Sequence, residues 1–483
     1  MKRLLLCLFL GFTLLFSACA HKHSFGDIKT TEPNCSLNGY KYRICSSCKE
    51  VEYIESISAL GHKVDEYFND IRFQTSYAYC TECGLRLSDG EYEPPAEIDR
   101  LYIYGVPEGS MIPVDVTYFD GETEYKIYGS ISKDGNESNA YAKKDYDIYL
   151  FADSGRTEPF LMNPDAALST YDKFALKSEY ADKSASRNLT ASALWSAVIA
   201  TRDEIDKNLA ILPGYGADAG FPVLFYTNNN YKGIYNLCKP NDETLFGIDD
   251  PETQAIIYTF PFFGTFDFRY QKSSDRYVPC QIIFPENEDA AEIAKQRFLD
   301  FCNFVLTSDD STFKAQIGDM LDVDAAIDYL ICIYAFGADS NIDLFCNWVT
   351  YDGKKWIPSM YNLTHTFGIN ESGEYLPAKD VVSPAVSEGK LLSGTDNALW
   401  EKLCRNFSDD IYERYRDLRK SVLNAENIKA VFEGNASKIS DEIYLSEFDE
   451  YPEKHYFSGK YDAQSVYEWS QERFAILDAV LLK

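Results

Sequence analysis

The chain has 483 residues, with 46 Lys+Arg against 76 Asp+Glu and a formal net charge of −30. That length allows two to four domains, and 45% hydrophobic with 25% charged residues excludes wholesale disorder. So acidic a chain repels phosphate backbones and has no Lys/Arg block to offset the repulsion, so nucleic acid is not expected as a partner. Only five histidines are present, His21, His23, His62, His365 and His455, which leaves histidine-based catalysis little material.

The amino terminus reads MKRLLLCLFLGFTLLFSAC: Lys2 and Arg3, an apolar run from Leu4 to Phe16, then small residues. This is the layout of a secretory signal, and the run is shorter than the roughly 20 residues of a membrane span. Phe16-Ser17-Ala18-Cys19 resembles a lipobox, with Phe16 where Leu is preferred. The resemblance implies a signal over residues 1–18 and a mature lipoprotein starting at lipidated Cys19. The expected location is extracytoplasmic, with the membrane as partner through the lipid, and plain secretion is the alternative.

Residues 19–92 form a cysteine-rich module. Two C-x-x-C pairs, Cys45/Cys48 and Cys80/Cys83, are offset by the same distance, 80 − 45 = 83 − 48 = 35 residues, which predicts a duplicated unit. His21 and His23 precede the first pair, Gly61-His62 stands between the two, and Cys35 has no counterpart in the shortened second copy. The segment resembles the short cysteine-rich repeats of Gram-positive bacterial surface proteins. One reading gives Cys45, Cys48, Cys80 and Cys83 to a single tetrahedral Zn²⁺. A second pairs the cysteines as disulfides that staple a module too small for its own core. In a third, each unit uses its C-x-x-C with nearby histidines. None is catalytic, and the module reads as a spacer or adhesion element.

EYEPPAEID marks a boundary, and residues 96–483 follow as the main domain, beginning with the strand RLYIYGV. Residues 222–238 predict a hairpin around Asn228-Asn229-Asn230, and residues 346–361 a second turning at Asp352-Gly353. The spacing predicts a helix over 287–306, with Ala290, Ile293, Ala294, Phe298, Phe301, Cys302 and Val305 on its apolar face. Further helices are predicted from Asp324 to Phe336, capped by Asp322 or Asp324, and from Leu399 to about Leu423. Strands first and helices later indicate an α+β domain.

Four segments in order, DGNESNAYAKKDYDIYLFADSG, FALKSEYADKSASRNLTASALW, LFYTNNNYKGIYNLC and the stretch from IDYLICIYAFGADSN to MYNLTHTFGINESG, resemble the CotH kinase family. The resemblance covers roughly residues 98–455. It implies an atypical, two-lobed protein-kinase-like fold using ATP with Mg²⁺ or Mn²⁺, and a surface or coat protein as substrate. A kinase needs phosphate-holding cations, carboxylates for the metal, and a base that orients the acceptor. On the resemblance, nucleotide binding falls to Lys143 or Lys144, supported by Arg187 and Asn188. The base role falls to Asp339, with Asp343 as alternative and Asn347 as a metal or loop-ordering partner. Read without the resemblance, the lysines are surface residues, Arg187 an ion-pair partner and Asp339 a turn residue.

The metal motif departs from the family. Where relatives carry Asp-x-Asp, this chain has Asn362-Leu363-Thr364, followed by His365-Thr366-Phe367-Gly368. Mg²⁺ prefers charged oxygen ligands in tight octahedral geometry, and both charges are missing. The sequence therefore indicates a degenerate member, a pseudokinase with a remaining cleft. The competing readings are an active Ser/Thr/Tyr kinase using Asp339 and a non-catalytic surface binding or scaffold protein. A serine hydrolase is disfavoured, because His365 and His455 are the domain's only histidines and no G-x-S-x-G occurs.

Overall fold

The computed structural model describes residues 22–133, 141–164, 170–259, 280–342, 344–381 and 397–482. The signal segment, Cys19, His21, the Gly135-Asn136 stretch and Asp343 lie outside them. Contacts divide the chain into two compact units, Met1–Asp70 with Gln74–Glu93, and Ile71–Phe73 with Pro94–Lys483.

The first unit contains two three-stranded antiparallel sheets, β1 (Lys29–Thr31), β2 (Gly39–Ile44) and β3 (Val51–Ile57), then β4 (Tyr67–Asp70), β5 (Thr75–Tyr79) and β6 (Arg86–Gly90). In each sheet the middle strand runs straight into a C-x-x-C turn. Cys45 N–H donates to Glu50 O and Lys49 N–H to Cys45 O; Cys80 N–H donates to Leu85 O and Gly84 N–H to Cys80 O. The fourth position after each first cysteine sits at positive φ, Lys49 at 65° and Gly84 at 72°. The repeat thus has a conformational basis: two identical turns 35 residues apart, with glycine in the one and a strained lysine in the other.

The second unit is mixed α/β. Strands β7 (Asp99–Tyr104), β8 (Ile112–Phe119), β9 (Glu124–Lys133), β10 (Tyr146–Phe151), β11 (Lys173–Lys177), β12 (Gly220–Thr227) and β13 (Asn230–Cys238) close into a barrel in the order β10-β11-β13-β12-β7-β8-β9. All pairings are antiparallel except β7 with β12. Alternate residues such as Leu101, Ile103, Val114, Val116, Ile148, Leu150, Phe174 and Leu176 fill its interior, the period-two pattern that strand geometry imposes. The β12–β13 hairpin turns on Asn228 and Asn229, both at positive φ, the requirement of a two-residue turn that follows strand twist.

A four-stranded antiparallel sheet follows, β14 (Ala255–Thr259), β15 (Cys280–Phe284), β16 (Cys346–Thr350) and β17 (Ile357–Met360), in the order β15-β14-β16-β17. The expected hairpin at Asp352-Gly353 is β16–β17, with the Asp352 carboxylate accepting from the Lys354 and Lys355 amides. The described residues include eleven α-helices, most of them after β13. Helix Val323–Phe336 is capped by Asp322, whose carboxylate accepts the Ala325 N–H at 2.9 Å, and from Ala325 onward it is buried on every side. Helices that are apolar all round belong inside a core. Its one buried charge, Asp328, is held by Arg202 and Arg414, each at 2.6 Å.

Two helix expectations need correction. Ile293, assigned to the apolar face of Glu288–Thr307, is 53% exposed, whereas Ala294, Phe298, Phe301, Cys302 and Val305 are buried. The helix foreseen over 399–423 is two helices, Ala398–Asn406 and Ser408–Lys420, broken at Phe407 with φ −126° and ψ 30°. Both halves are amphipathic, so periodicity carries across the break. Asp409 and Asp410 are helix-starting acids in the second half.

Candidate functional site

A cleft of about 250 Å³ opens in the second unit. Its walls come from four places. Asp145, Asp147, Lys173 and Lys177 stand on or beside β10 and β11, and Ser178–Ala181 leave the end of β11. Pro240 and Asn241 follow β13, and Tyr258, Gln281 and Ile283 join Tyr361, Asn362, Thr364 and His365, with Tyr141 and Ala175 completing the lining.

The Asn362–Thr364 segment is held from beneath. Asn188 on helix Arg187–Ile199 accepts the Leu363 N–H at 2.8 Å through Oδ1 and donates through Nδ2 to Asp218 at 3.3 Å. Asn188 thus positions the Asn362–Thr364 loop. Thr364 Oγ1 donates to Glu179 at 2.6 Å and lies 3.3 Å from Asn362 Oδ1. Asn362 takes φ 52° and Glu179 φ 46°, a region that Asn and Asp tolerate and other non-glycine residues enter only at a cost.

Glu179 is the acid that sequence reasoning missed. It is buried, and burial pushes its carboxyl up to about 7, with the Thr364 hydroxyl and Lys177 pulling the other way. Nothing in the linear sequence separates it from the chain's other acids.

The cleft's cations are Lys173 and Lys177, not Lys143 or Lys144. Lys177 Nζ pairs with the buried Asp218 carboxylate and lies 3.9 Å from the Tyr361 ring centre. Lys173 Nζ pairs with Asp242 at 2.8 Å. Burial alone would lower both lysines, but the carboxylates more than reverse it and hold them above their ordinary range. Each is a charged lysine already matched by a carboxylate.

Lys143 lies elsewhere. Its Nζ is buried, donates to Ile234 O and to Glu447 Oε1 at 2.8 Å, and sits over the Tyr235 ring at 4.6 Å. Lys454 donates to the same Glu447 oxygen at 2.8 Å, and the other oxygen accepts the Ile234 N–H. The Lys143 expectation is corrected to a buried Lys–Glu–Lys triad, and the surface-lysine reading fails with it. The triad also accounts for the Gly-x-Tyr of the hairpin. A Cβ on Gly233, at φ 103°, would collide with Glu447 Oε2, and Tyr235 supplies the ring under Lys143.

Lys144 donates to Tyr141 O and does not line the cleft. Arg187 is buried and clamps Asp182 at 2.6 Å and Lys460 O at 2.5 Å, a structural ion pair. Asp339 opens the short 3₁₀ turn Asp339–Ile342 and contributes its charge to Arg473, outside the cleft lining. Asn347 is buried behind the cleft; its Nδ2 donates to the lining residue Asn241 at 2.9 Å, and its Oδ1 has no hydrogen-bond partner among the described residues.

The profile of the CotH kinase protein family matches residues 131–476, well over half the chain. The chain belongs to the CotH kinase protein family. No curated protein matches it.

The donor set at the Asn362–Thr364 segment bears on whether a divalent cation fits there. Asn362 offers an amide oxygen, Thr364 a hydroxyl already committed to Glu179, and Glu179 a carboxyl biased toward its proton. Among the described residues, no group of three or more His, Cys, Asp or Glu converges in this cleft; such groups occur only in the cysteine module. A hard cation prefers charged oxygens, and Asn362 and Thr364 supply neutral ones.

Proposed function

We propose that this chain is an exported, lipid-anchored CotH family pseudokinase, whose kinase-like, two-lobed domain presents a tyrosine-lined binding cleft and no phosphoryl-transfer centre. The observation that supports this reading is the Asn362–Thr364–Glu179 cluster, an amide, a hydroxyl and a carboxyl that burial biases toward its proton, at the segment which the resemblance aligns with the metal motif. Phosphoryl transfer depends on cations that clamp the β- and γ-phosphates. Here the two cleft lysines are matched by Asp218 and Asp242, so they offer little unspent charge to a triphosphate. Tyr141 and Tyr180, stacked at 5.0 Å, with Tyr258 and Tyr361 suit a ring-bearing ligand such as a glycan or a protein side chain. The lipid anchor rests on Cys19 and the signal-like run before it. Among the described residues no helix is long and apolar enough to cross a membrane.

Calorimetry with Mg-ATP or Mn-ATP, beside autophosphorylation with labelled ATP, tests the reading. The expectation is no divalent-dependent nucleotide binding and no phosphate incorporation. Incorporation by the wild type, lost in Asp339→Ala, would overturn it in favour of an active kinase. The double variant Asn362→Asp with Thr364→Asp keeps the left-handed backbone of residue 362, which Asp tolerates. It should be destabilised without metal, because two carboxylates join Glu179, and rescued by Mn²⁺. Absence of any metal response would remove the motif assignment. Membrane fractionation of Cys19→Ser, expected to release the protein, tests the anchor.

A further inference from the structure

The cysteine module contains a feature that the cleft does not use. Cys35, His62, Cys80 and Cys83 converge so that their ligand atoms all lie within 4.8 Å of one another. They come from distant points: the loop before β2, the Gly61-His62 segment and the second C-x-x-C turn. The Sγ atoms of Cys35 and Cys80 are 3.8 Å apart, and Cys83 Sγ is 3.5 Å from His62 Nδ1.

These separations discriminate between chemistries. A disulfide requires about 2.05 Å, whereas the Cys35, Cys80 and Cys83 sulfurs are thiols and the fourth group is the His62 imidazole. Zn–S bonds of about 2.3 Å and Zn–N bonds of about 2.0–2.1 Å at tetrahedral angles give edges of roughly 3.8 Å for S···S and 3.5 Å for S···N. The observed distances are those edges. The second shell agrees: His62 Nε2 lies 3.4 Å from Ser36 Oγ, which fixes the ring with Nδ1 inward. Cys35 and Cys80 are buried and Cys83 exposed, as in a closed structural site at a module's edge.

We propose that Cys35, His62, Cys80 and Cys83 bind one structural Zn²⁺ in an S₃N tetrahedron that ties the two halves of the module together. The ion substitutes for a hydrophobic core, which three-stranded sheets of this size cannot build. This differs from the grouping of Cys45, Cys48, Cys80 and Cys83, which the structure divides between two clusters. Cys35, without a counterpart in the second copy, completes that copy's site. The sister knuckle brings together His23, Cys45 and Cys48, with His23 Nδ1 3.4 Å from Cys48 Sγ and Nε2 3.2 Å from Glu50. Among the described residues this group brings three donors together.

The test is metal analysis and zinc X-ray absorption on the full mature chain. The expected result is one chelator-resistant zinc per chain, with three sulfurs at about 2.3 Å and one nitrogen at about 2.0 Å. Cys35→Ser should lose that ion and Cys48→Ser should keep it. Ser36→Ala, which leaves all four ligands and the fold in place, should weaken zinc about 10-fold. Loss of the tight ion in Cys48→Ser, an S₄ absorption spectrum, a Cys35–Cys80 disulfide by mass spectrometry, or a zinc-free chain would each overturn the proposal.

Discussion

Replacing Glu179 by glutamine probes the electrostatics of the cleft directly. The Glu179 carboxyl is pushed up to about 7 from an ordinary 4.5, chiefly by burial. The folded protein therefore binds this proton more tightly than the unfolded chain does. Between pH 4.5 and about 7 the native state carries more protons, so stability falls as pH rises through that window. At about 1.4 kcal/mol per pH unit, the charged carboxyl costs about 3 kcal/mol once the pH is well above 7. Glutamine has nearly the same shape, carries no charge and still accepts the Thr364 hydroxyl. Glu179→Gln should therefore match the wild type near pH 4 and exceed it by about 3 kcal/mol near pH 9, a Tm gap on the order of 5 °C. Denaturant or thermal unfolding of both proteins across a pH series measures the gap. A gap independent of pH, or one that widens toward acid, would refute the argument that Glu179 is a desolvated, proton-holding group.

Other outcomes follow from the same geometry. Lys143→Met should cost about 3 kcal/mol at neutral pH by breaking the buried triad, and leave ligand affinity at the cleft unchanged by calorimetry. Burial lowers Lys143 to about 8, so from there to 10.5 the unfolded chain holds more protons. Wild-type stability should rise with pH in that range, and the variant's should not. Gly233→Ala should destabilise by about 2–3 kcal/mol in thermal unfolding, since the added Cβ meets Glu447 at a backbone angle unsuited to alanine. Lys49→Gly should stabilise the cysteine module by about 1 kcal/mol, read by amide exchange of β2 and β3, because it puts in the first turn what Gly84 supplies in the second.

The two hairpins, the helix starts and the duplicated knuckles were legible because each depends on neighbours in the chain. Asn228-Asn229 permits positive φ, Asp322 caps the next amides, and C-x-x-C closes its own turn. Amphipathic spacing carried through the break at Phe407, because a one-residue kink between two amphipathic helices leaves the period nearly intact.

The chemistry of particular side chains was decided only in three dimensions. Lys143 and Lys177 look alike in the sequence, yet one is sealed against Glu447 and the other floors the cleft against Asp218. Glu179 is one acid among 76 Asp+Glu until burial beside Thr364 changes its proton affinity. Cys35 has no partner within its own repeat and finds three across the module. Local backbone preference acts over a few residues and is written in their order, whereas desolvation, pairing and coordination depend on which distant atoms the closed barrel and the paired knuckles bring within a few ångströms.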